Sequence, residues 1–309
     1  MPDLPANNNE LLENVSLPFM IESSGIRGRF VRLNSQINSI LTGHKYPKRA
    51  SQLLGELVTL ATMLGSMLKI DGILSIQASG DGAISLMTAD YTGQSNIRGY
   101  AKINDKKAIE SLPTKKRDQQ DIKTIFGSGH IMITIENPNE KPYQAIVALE
   151  GKSLAECLIN YFKQSDQLKA SIEISTDKVD GKWVSSGILI QNMPSEGGKN
   201  VDIAPKRTQE EREDLWNTAK MLLASVTDEE LLSKEITPHE LLYRLFHEEG
   251  IRVFDPLSIE AKCRCSRQRM LSALINLPKD DISSLKKDGK ITMQCHFCNR
   301  EEIFDDNDL

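Results

Sequence analysis

Four of the five cysteines fall into two close pairs near the C-terminal end of the 309-residue chain: Cys263-Arg264-Cys265 and Cys295-His296-Phe297-Cys298, with 29 residues from Ser266 to Gln294 between them. Four thiolates complete a tetrahedral Zn²⁺ and leave no position open for water or substrate, so such a centre is structural rather than hydrolytic. The Cys-x-Cys pair and the long spacer set it apart from an ordinary zinc ribbon. The segment Pro256 to Leu309 holds 54 residues, short of the roughly 70–80 at which one core supplies much stability. Bound zinc contributes about 10–16 kcal/mol in segments of this kind, which makes metal binding and folding one equilibrium. A metal-free dithiol is the alternative. Against it, a thioredoxin-like pair opens a helix within a βαβ unit, whereas only 11 residues follow Cys298 and five of them are acidic. Haem attachment would need His directly after Cys298, where Asn299 stands.

The fifth cysteine, Cys157, shares a predicted helix face with Leu154, Leu158 and Tyr161, and reads as a small buried hydrophobe rather than a reactive thiol. Enzyme motifs break on inspection. Gly151-Lys152-Ser153 resembles the end of a P-loop, but the first glycine would fall on Ile146; His239-Glu240 begins a zincin signature whose second His would be Tyr243; and Gly80-Asp81-Gly82 has Ser85 where a dinucleotide loop needs glycine. The chain is therefore not expected to be an enzyme or to bind nucleotide. His44, His130, His239 and His247 are scattered and read as surface or structural residues, and His296 as a solvated neighbour of the second cysteine pair. Arg27, Arg29 and Arg32 alternate on a predicted strand and read as a solvated face.

These residues need elements to hold them. From about Leu17 to Gln191 the two structural periods mix. A helix is predicted from Ser51 to Lys69, where Leu53, Leu57, Leu60, Leu64 and Met67 form a stripe. Strands are predicted at Ile73–Gln77, Ala83–Thr88, Ile131–Ile135, Ala145–Leu149 and Ser171–Ser175, with a hairpin turn at Gly80-Asp81-Gly82 and a second helix over Ser153–Ser165. Asn192 to Arg207, with two prolines and two adjacent glycines, reads as a linker. Thr208 to Gly250 reads as helical: Thr208 caps with Glu211, Leu215, Ala219, Leu222 and Val226 form a stripe, and Thr237-Pro238 opens a helix carrying Leu241, Leu242, Leu245 and Phe246. From Lys206 to Gly250 there are 11 acids and 6 bases; so small an arm depends on what it docks against. The fold class is thus α+β in three parts: a mixed sheet-and-helix core over 1–195, a helical linker arm over 196–255 and a small zinc-binding domain over 256–309.

Composition bounds the function. Apolar residues make up 39% and charged residues 26%, which excludes disordered and collagenous chains. The net charge of -5 provides no global field toward nucleic acid or anionic membranes. Asp3, Glu10 and Glu13 stand where a signal peptide would be basic and then apolar, and no uncharged apolar stretch reaches the roughly 18 residues of a membrane helix. A cytoplasmic location, with thiols kept reduced, is the expectation.

Several further motifs run through the chain: Gly28-Arg29 with Arg32-Leu33, Leu54-Gly55-Glu56-Leu57, Gly80-Asp81-Gly82, Arg98-Gly99, and Leu149-Glu150-Gly151 followed by Tyr161-Phe162-x-Gln164-Ser165-x-Gln167. Their order, together with the cysteine spacing, resembles the redox-regulated chaperones of the 33-kDa heat-shock protein family over nearly all of residues 17 to 300. Asp166 stands where that family commonly has Glu. The resemblance implies an ATP-independent holdase, inactive when reduced and zinc-bound. Oxidation activates it, with zinc release and partial unfolding, to hold unfolding client proteins against aggregation. It implies Cys263, Cys265, Cys295 and Cys298 as zinc ligands, disulfides Cys263–Cys265 and Cys295–Cys298 in the oxidised form, and homodimerisation on activation. Client binding is expected to draw on Leu215, Leu222, Leu241, Leu242 and Phe246, uncovered if the C-terminal segment shields them. Two rivals stand beside it. Nine bases against four acids between Pro256 and Arg300 suit a zinc-ribbon nucleic-acid module, although Phe297 is the only aromatic there and five acids follow between Glu301 and Asp308. A thiol oxidoreductase is the enzymatic rival.

Overall fold

A computed structural model describes residues 12–68, 70–115, 121–165, 168–192, 208–305 and 308. The linker stretch 193–207, together with Asp166, Gln167 and the Asn-rich start of the chain, lies outside the described residues.

The centre of the molecule is one helix. After strands β1 (Asn14–Ile21) and β2 (Ile26–Leu33) and helix α1 (Ser35–Thr42), helix α2 (Lys48–Leu68) is buried on all sides from Arg49 to Ser66. It is the one described helix long and apolar enough, by length and composition, to cross a membrane, but 89% of its apolar window lies inside the protein; a helix apolar all round is equally what the middle of a large core requires. Two six-stranded sheets enclose it. The second is built from β3 (Ile73–Gly80), β4 (Ile84–Thr92), β5 (Asn96–Ile103), β6 (Gly129–Glu136) and β7 (Tyr143–Ala148), with short helices α3 (Lys106–Glu110) and α4 (Ile122–Phe126) between. The predicted hairpin turn joins β3 to β4, whose register pairs Ile76 with Ala89.

Helix α5 (Leu154–Ser165) leads to β8 (Lys169–Val179) and β9 (Lys182–Asn192), which complete the first sheet in the order β10-β1-β2-β9-β8. Strand β10 (Ile251–Val253) lies along β1, as does the two-residue β11 (Leu257–Ser258). Across β1 and β2, Phe19 faces Gly28, where a Cβ would lie 2.0 Å from the Phe19 ring; only glycine leaves that ring room to cross the strand.

The outer face of this sheet is not solvent. Helices α6 (Gln209–Ala224), α7 (Asp228–Leu232) and α8 (Pro238–Phe246) cover it, each opened by a threonine capping box: Thr208 with Glu211, Thr227 with Glu230 and Thr237 with Glu240. Leu17, Phe19, Ile21, Ile26, Phe30, Ile188 and Ile190 of the sheet form one cluster with Trp216, Ala219, Leu223, Leu231, Leu241, Leu242 and Phe246 of the arm. The rings of Phe19 and Phe246 stack at 5.9 Å.

Two sequence expectations change here. The buried stripe of α6 runs through Trp216, Ala219, Leu223 and Val226, while Leu215 and Leu222 are only half-buried at its margin. Arg29 and Arg32 are not on a solvated face; 7% and 4% of their surface is exposed, because the sheet is covered on both sides, while Arg27 is exposed as expected. Each buried guanidinium meets backbone carbonyls. Arg29 Nη2 donates to Ser66 O at 2.8 Å in the last turn of α2, and Arg32 donates to Ile236 O at 2.7 Å and Leu231 O at 3.4 Å beside α7. Ser66 and Leu231 lie in the last turns of α2 and α7, where helix C-termini present orphan carbonyls and the negative end of the dipole to a cation. Burial still brings Arg32 down to about 10.

Candidate metal centre

The chain leaves the arm through β10 and β11, adds β12 (Glu260–Ala261) to the edge of β5, and then enters a small lobe. That lobe holds α9 (Arg267–Ile275), α10 (Lys279–Leu285) and the hairpin β13 (Ile291–Gln294) and β14 (Glu301–Phe304). Among its described residues the buried apolar ones are Met270, Leu274, Ile291 and Phe304, with Cys265, Leu271, Ile282, Met293 and Cys295 packed against them. So small a core offers little stability of its own.

The lobe brings the four expected cysteines together, with all four Sγ atoms within 4.8 Å of one another. Cys263 Sγ lies 3.7 Å from Cys295 Sγ and Cys265 Sγ 3.4 Å from Cys298 Sγ. Tetrahedral ligands at the usual Zn–S length of about 2.3 Å stand about 3.8 Å apart, so the thiol set fits one such ion. The second pair sits on a tight turn: Asn299 N donates to Cys295 O at 2.8 Å, Cys295 N donates to Arg300 O at 2.9 Å, and Asn299 has φ 58, a left-handed conformation that Asn tolerates well. Burial opposes ionisation of Cys263, but hydrogen bonds from the Cys265 amide and from the thiols of Cys265, Cys298 and Cys295 outweigh it and bring Cys263 down to about 7. Burial, then Cys298 and Cys263, push Cys265 well up. Cys157 lies apart, fully buried on α5, and burial pushes its thiol up to about 11, which fits a packing role.

The residues between the cysteines grip the core, a role the spacing did not reveal. Arg264 Nη2 donates to Asp90 Oδ2 at 2.8 Å, and Arg98 Nε donates to the same oxygen at 2.7 Å. Ser75 Oγ donates to Asp90 Oδ1 at 2.6 Å. The Arg98 guanidinium lies 3.8 Å over the Phe297 ring, and Tyr100 stacks on His296 at 5.2 Å. His296 is thus exposed, as expected, with one face on Tyr100. His44 Nε2 lies 3.3 Å from Phe297 O, and Asn299 Nδ2 donates to Gly43 O at 2.5 Å. In the sequence Arg98-Gly99 stood only as one motif of the family resemblance, with no chemistry attached. The proposed client residues lie elsewhere. Leu241, Leu242 and Phe246 are covered by the first sheet and not by the lobe, which overturns the expectation that the C-terminal segment shields them.

A two-sheet body around a central helix thus carries a helical arm and a four-thiol lobe docked on it. A model of the Hsp33 protein matches residues 14–305. The chain is 35% identical over 292 residues to the 33 kDa chaperonin of Photorhabdus laumondii, covering 94% of this chain and 93% of that one, and 34% identical to the 33 kDa chaperonin of Escherichia coli, covering 94% and 92%. The crystal structure of the 33 kDa chaperonin from Thermotoga maritima superposes with a TM-score of 0.78 over 96% of both chains at 21% identity; that likeness concerns the fold. The chain belongs to the Hsp33 family.

Proposed function

We propose that this protein is a redox-regulated, ATP-independent holdase whose reduced form carries one Zn²⁺ on Cys263, Cys265, Cys295 and Cys298. The observation that carries the reading is the convergence of four thiols within 4.8 Å in a lobe with four buried apolar residues. The metal would supply the folding free energy that this core lacks.

Oxidation then acts on the fold. A thiolate attacks one oxygen of hydrogen peroxide to give a sulfenic acid and hydroxide; a second thiol displaces that oxygen as water and closes a disulfide, so two disulfides consume two peroxides. Each ligand lost weakens the hold on zinc. The expected pairs are Cys263–Cys265 and Cys295–Cys298, as in the family resemblance, and dimerisation of the active form is expected on the same ground. The lobe detaches from Asp90, Arg98 and Tyr100, and its loss peels back β12, β11 and β10, which lead directly to α8. The arm then loosens from the first sheet and offers Leu241, Leu242 and Phe246, together with the sheet residues they covered, to unfolding clients. A cytoplasmic setting suits such a thiol switch.

The test is zinc release and thiol loss against peroxide dose, beside light scattering from an unfolding client without nucleotide. Metal analysis of anaerobically purified protein is expected to give one zinc per chain; protein free of zinc, or protection that needs added ATP, contradicts the reading.

A further inference from the structure

The six residues before Cys263 are laid across both sheets. Leu257 and Ser258 pair with Ser16 and Val15 of β1, and Ile259 N donates to Asn14 O at 2.9 Å. The chain then crosses to the second sheet: Glu260 N donates to Ser95 O at 3.1 Å and Lys262 N to Ile97 O at 3.0 Å, as a parallel partner of β5. The intervening amide turns the other way, Ala261 N donating to Gln36 Oε1 at 2.7 Å on α1. Side chains alternate as well. Ile259, 2% exposed, and Ala261 pack into the main core cluster, while Glu260 and Lys262 are exposed. The segment therefore fills a slot that bonds an extended backbone from both sides and takes an apolar side chain at every second position. The Tyr46 hydroxyl accepts from Ala101 N at 3.0 Å and marks the far end of the open edge.

We infer that this slot, formed by β5 from Ser95 to Gly99 and by Gln36 of α1, is a docking site for an extended segment of an unfolding client, and that Glu260–Lys262 is the chain's own occupant while the lobe is folded. The inference rests on the zinc-switch reading and adds where a client is held. Three observations carry it. The occupant is already a peptide strand, which shows the chemistry the slot accepts. It is short and parallel, the less stable pairing per residue, and it ends one residue before Cys263, so unfolding of the lobe releases it. An uncovered edge presents a row of unpaired N–H and C=O groups, and strand addition takes its affinity from the main chain, with pockets for alternate side chains. That tolerance of sequence is what a holdase requires.

The test uses the full-length chain and a fluorescent peptide of residues 256–262, Pro-Leu-Ser-Ile-Glu-Ala-Lys, blocked at both ends. A control peptide carries aspartate at the positions matching Ile259 and Ala261. The oxidised protein is expected to bind the first peptide at least about tenfold more tightly than the reduced, zinc-loaded protein, a difference of about 1.4 kcal/mol, and to ignore the control. A photo-crosslinker at the position of Ala261 is expected to label Gln36 or residues 95–99. In the reduced state an Ile259→Ser variant that retains its zinc is expected to bind the peptide. Equal binding to both redox forms, labelling of the arm instead, or a zinc-loaded Ile259→Ser chain that still excludes the peptide overturns the inference. Aggregation assays on the same samples separate the two claims. An oxidised chain that protects clients but does not bind the peptide refutes the slot alone. One that binds the peptide but protects nothing refutes the holdase reading and leaves the slot standing.

Discussion

Arg264, the residue between the first two cysteines, donates to Asp90 Oδ2 at 2.8 Å, and Asp90 belongs to a strand of the core that packs on the central helix. This ion pair ties the first cysteine motif to the core. Asp90 is 3% exposed, and Arg98 shares its carboxylate while also lying over Phe297 of the other cysteine motif. A disulfide within Cys263–Cys265 would re-aim Arg264, so chemistry at sulfur and loss of docking become one event.

Asp90→Asn is therefore expected to leave zinc stoichiometry unchanged and to loosen the lobe. The loss should be about 3 kcal/mol, the low end for a broken buried pair because both arginines keep some solvent contact. Peroxide titration with a zinc indicator checks this: half-release is expected at a lower dose than in the parent chain.

Arg32→Met should act on the arm alone. It leaves the carbonyls of Ile236 and Leu231 without their buried donor, at a cost of about 1–3 kcal/mol for each group left unsatisfied. Hydrogen exchange is expected to accelerate from Leu231 to Phe246 with little change in α2, and an equal acceleration in α2 would show that the arm and the core open together.

Cys157 gives a pH test. Its folded thiol titrates at about 11 against an ordinary 9.0, so the folded state holds the proton more tightly. This contribution to stability is complete below pH 9 and is lost as pH rises toward 11. Alkylation of metal-stripped protein at pH 8 is expected to modify four cysteines quickly and Cys157 only after denaturant is added, as read by mass spectrometry.

Disulfide mapping after peroxide treatment tests the pairing. Close sulfur pairs in the reduced lobe run between motifs, Cys263 to Cys295 at 3.7 Å and Cys265 to Cys298 at 3.4 Å, whereas the expected product pairs within each motif. Digestion is expected to give Cys263–Cys265 and Cys295–Cys298, the pairs that the family resemblance implies, and cross-motif disulfides would contradict that pairing.

The cysteine centre was legible because metal ligation fixes residue type and spacing together. Helices α2 and α5, the helical arm and the hairpin at Gly80 to Gly82 were legible because their periods and turn residues are local, whereas α1, α3, α4, α9 and α10 were not singled out. What failed depended on partners distant in sequence. Arg29 and Arg32 looked solvated because alternation implies one wet face, and only the arm makes the first sheet buried on both. Strand β9 was not singled out, since Ser185, Ser186 and Gly187 interrupt its apolar run; yet Ser185 is fully buried, its hydroxyl 2.6 Å from those of Thr59 and Thr176. On α6 the stripes through Leu215 and through Trp216 fit the helical period equally well, and the sheet beneath selects the second. The grip of Arg264 and Phe297 on Asp90 and Arg98 had no local signature.

The central claim is that loss of the metal centre produces the client-binding state, and it is tested most directly by following zinc content and client aggregation in the same samples across a peroxide series, without nucleotide. The account predicts one zinc per reduced chain, no protection at that point, and protection that rises in step with zinc release and reverses when thiols are reduced with zinc present. Full protection by chains that still hold their zinc, or complete zinc loss with no protection at all, would contradict it.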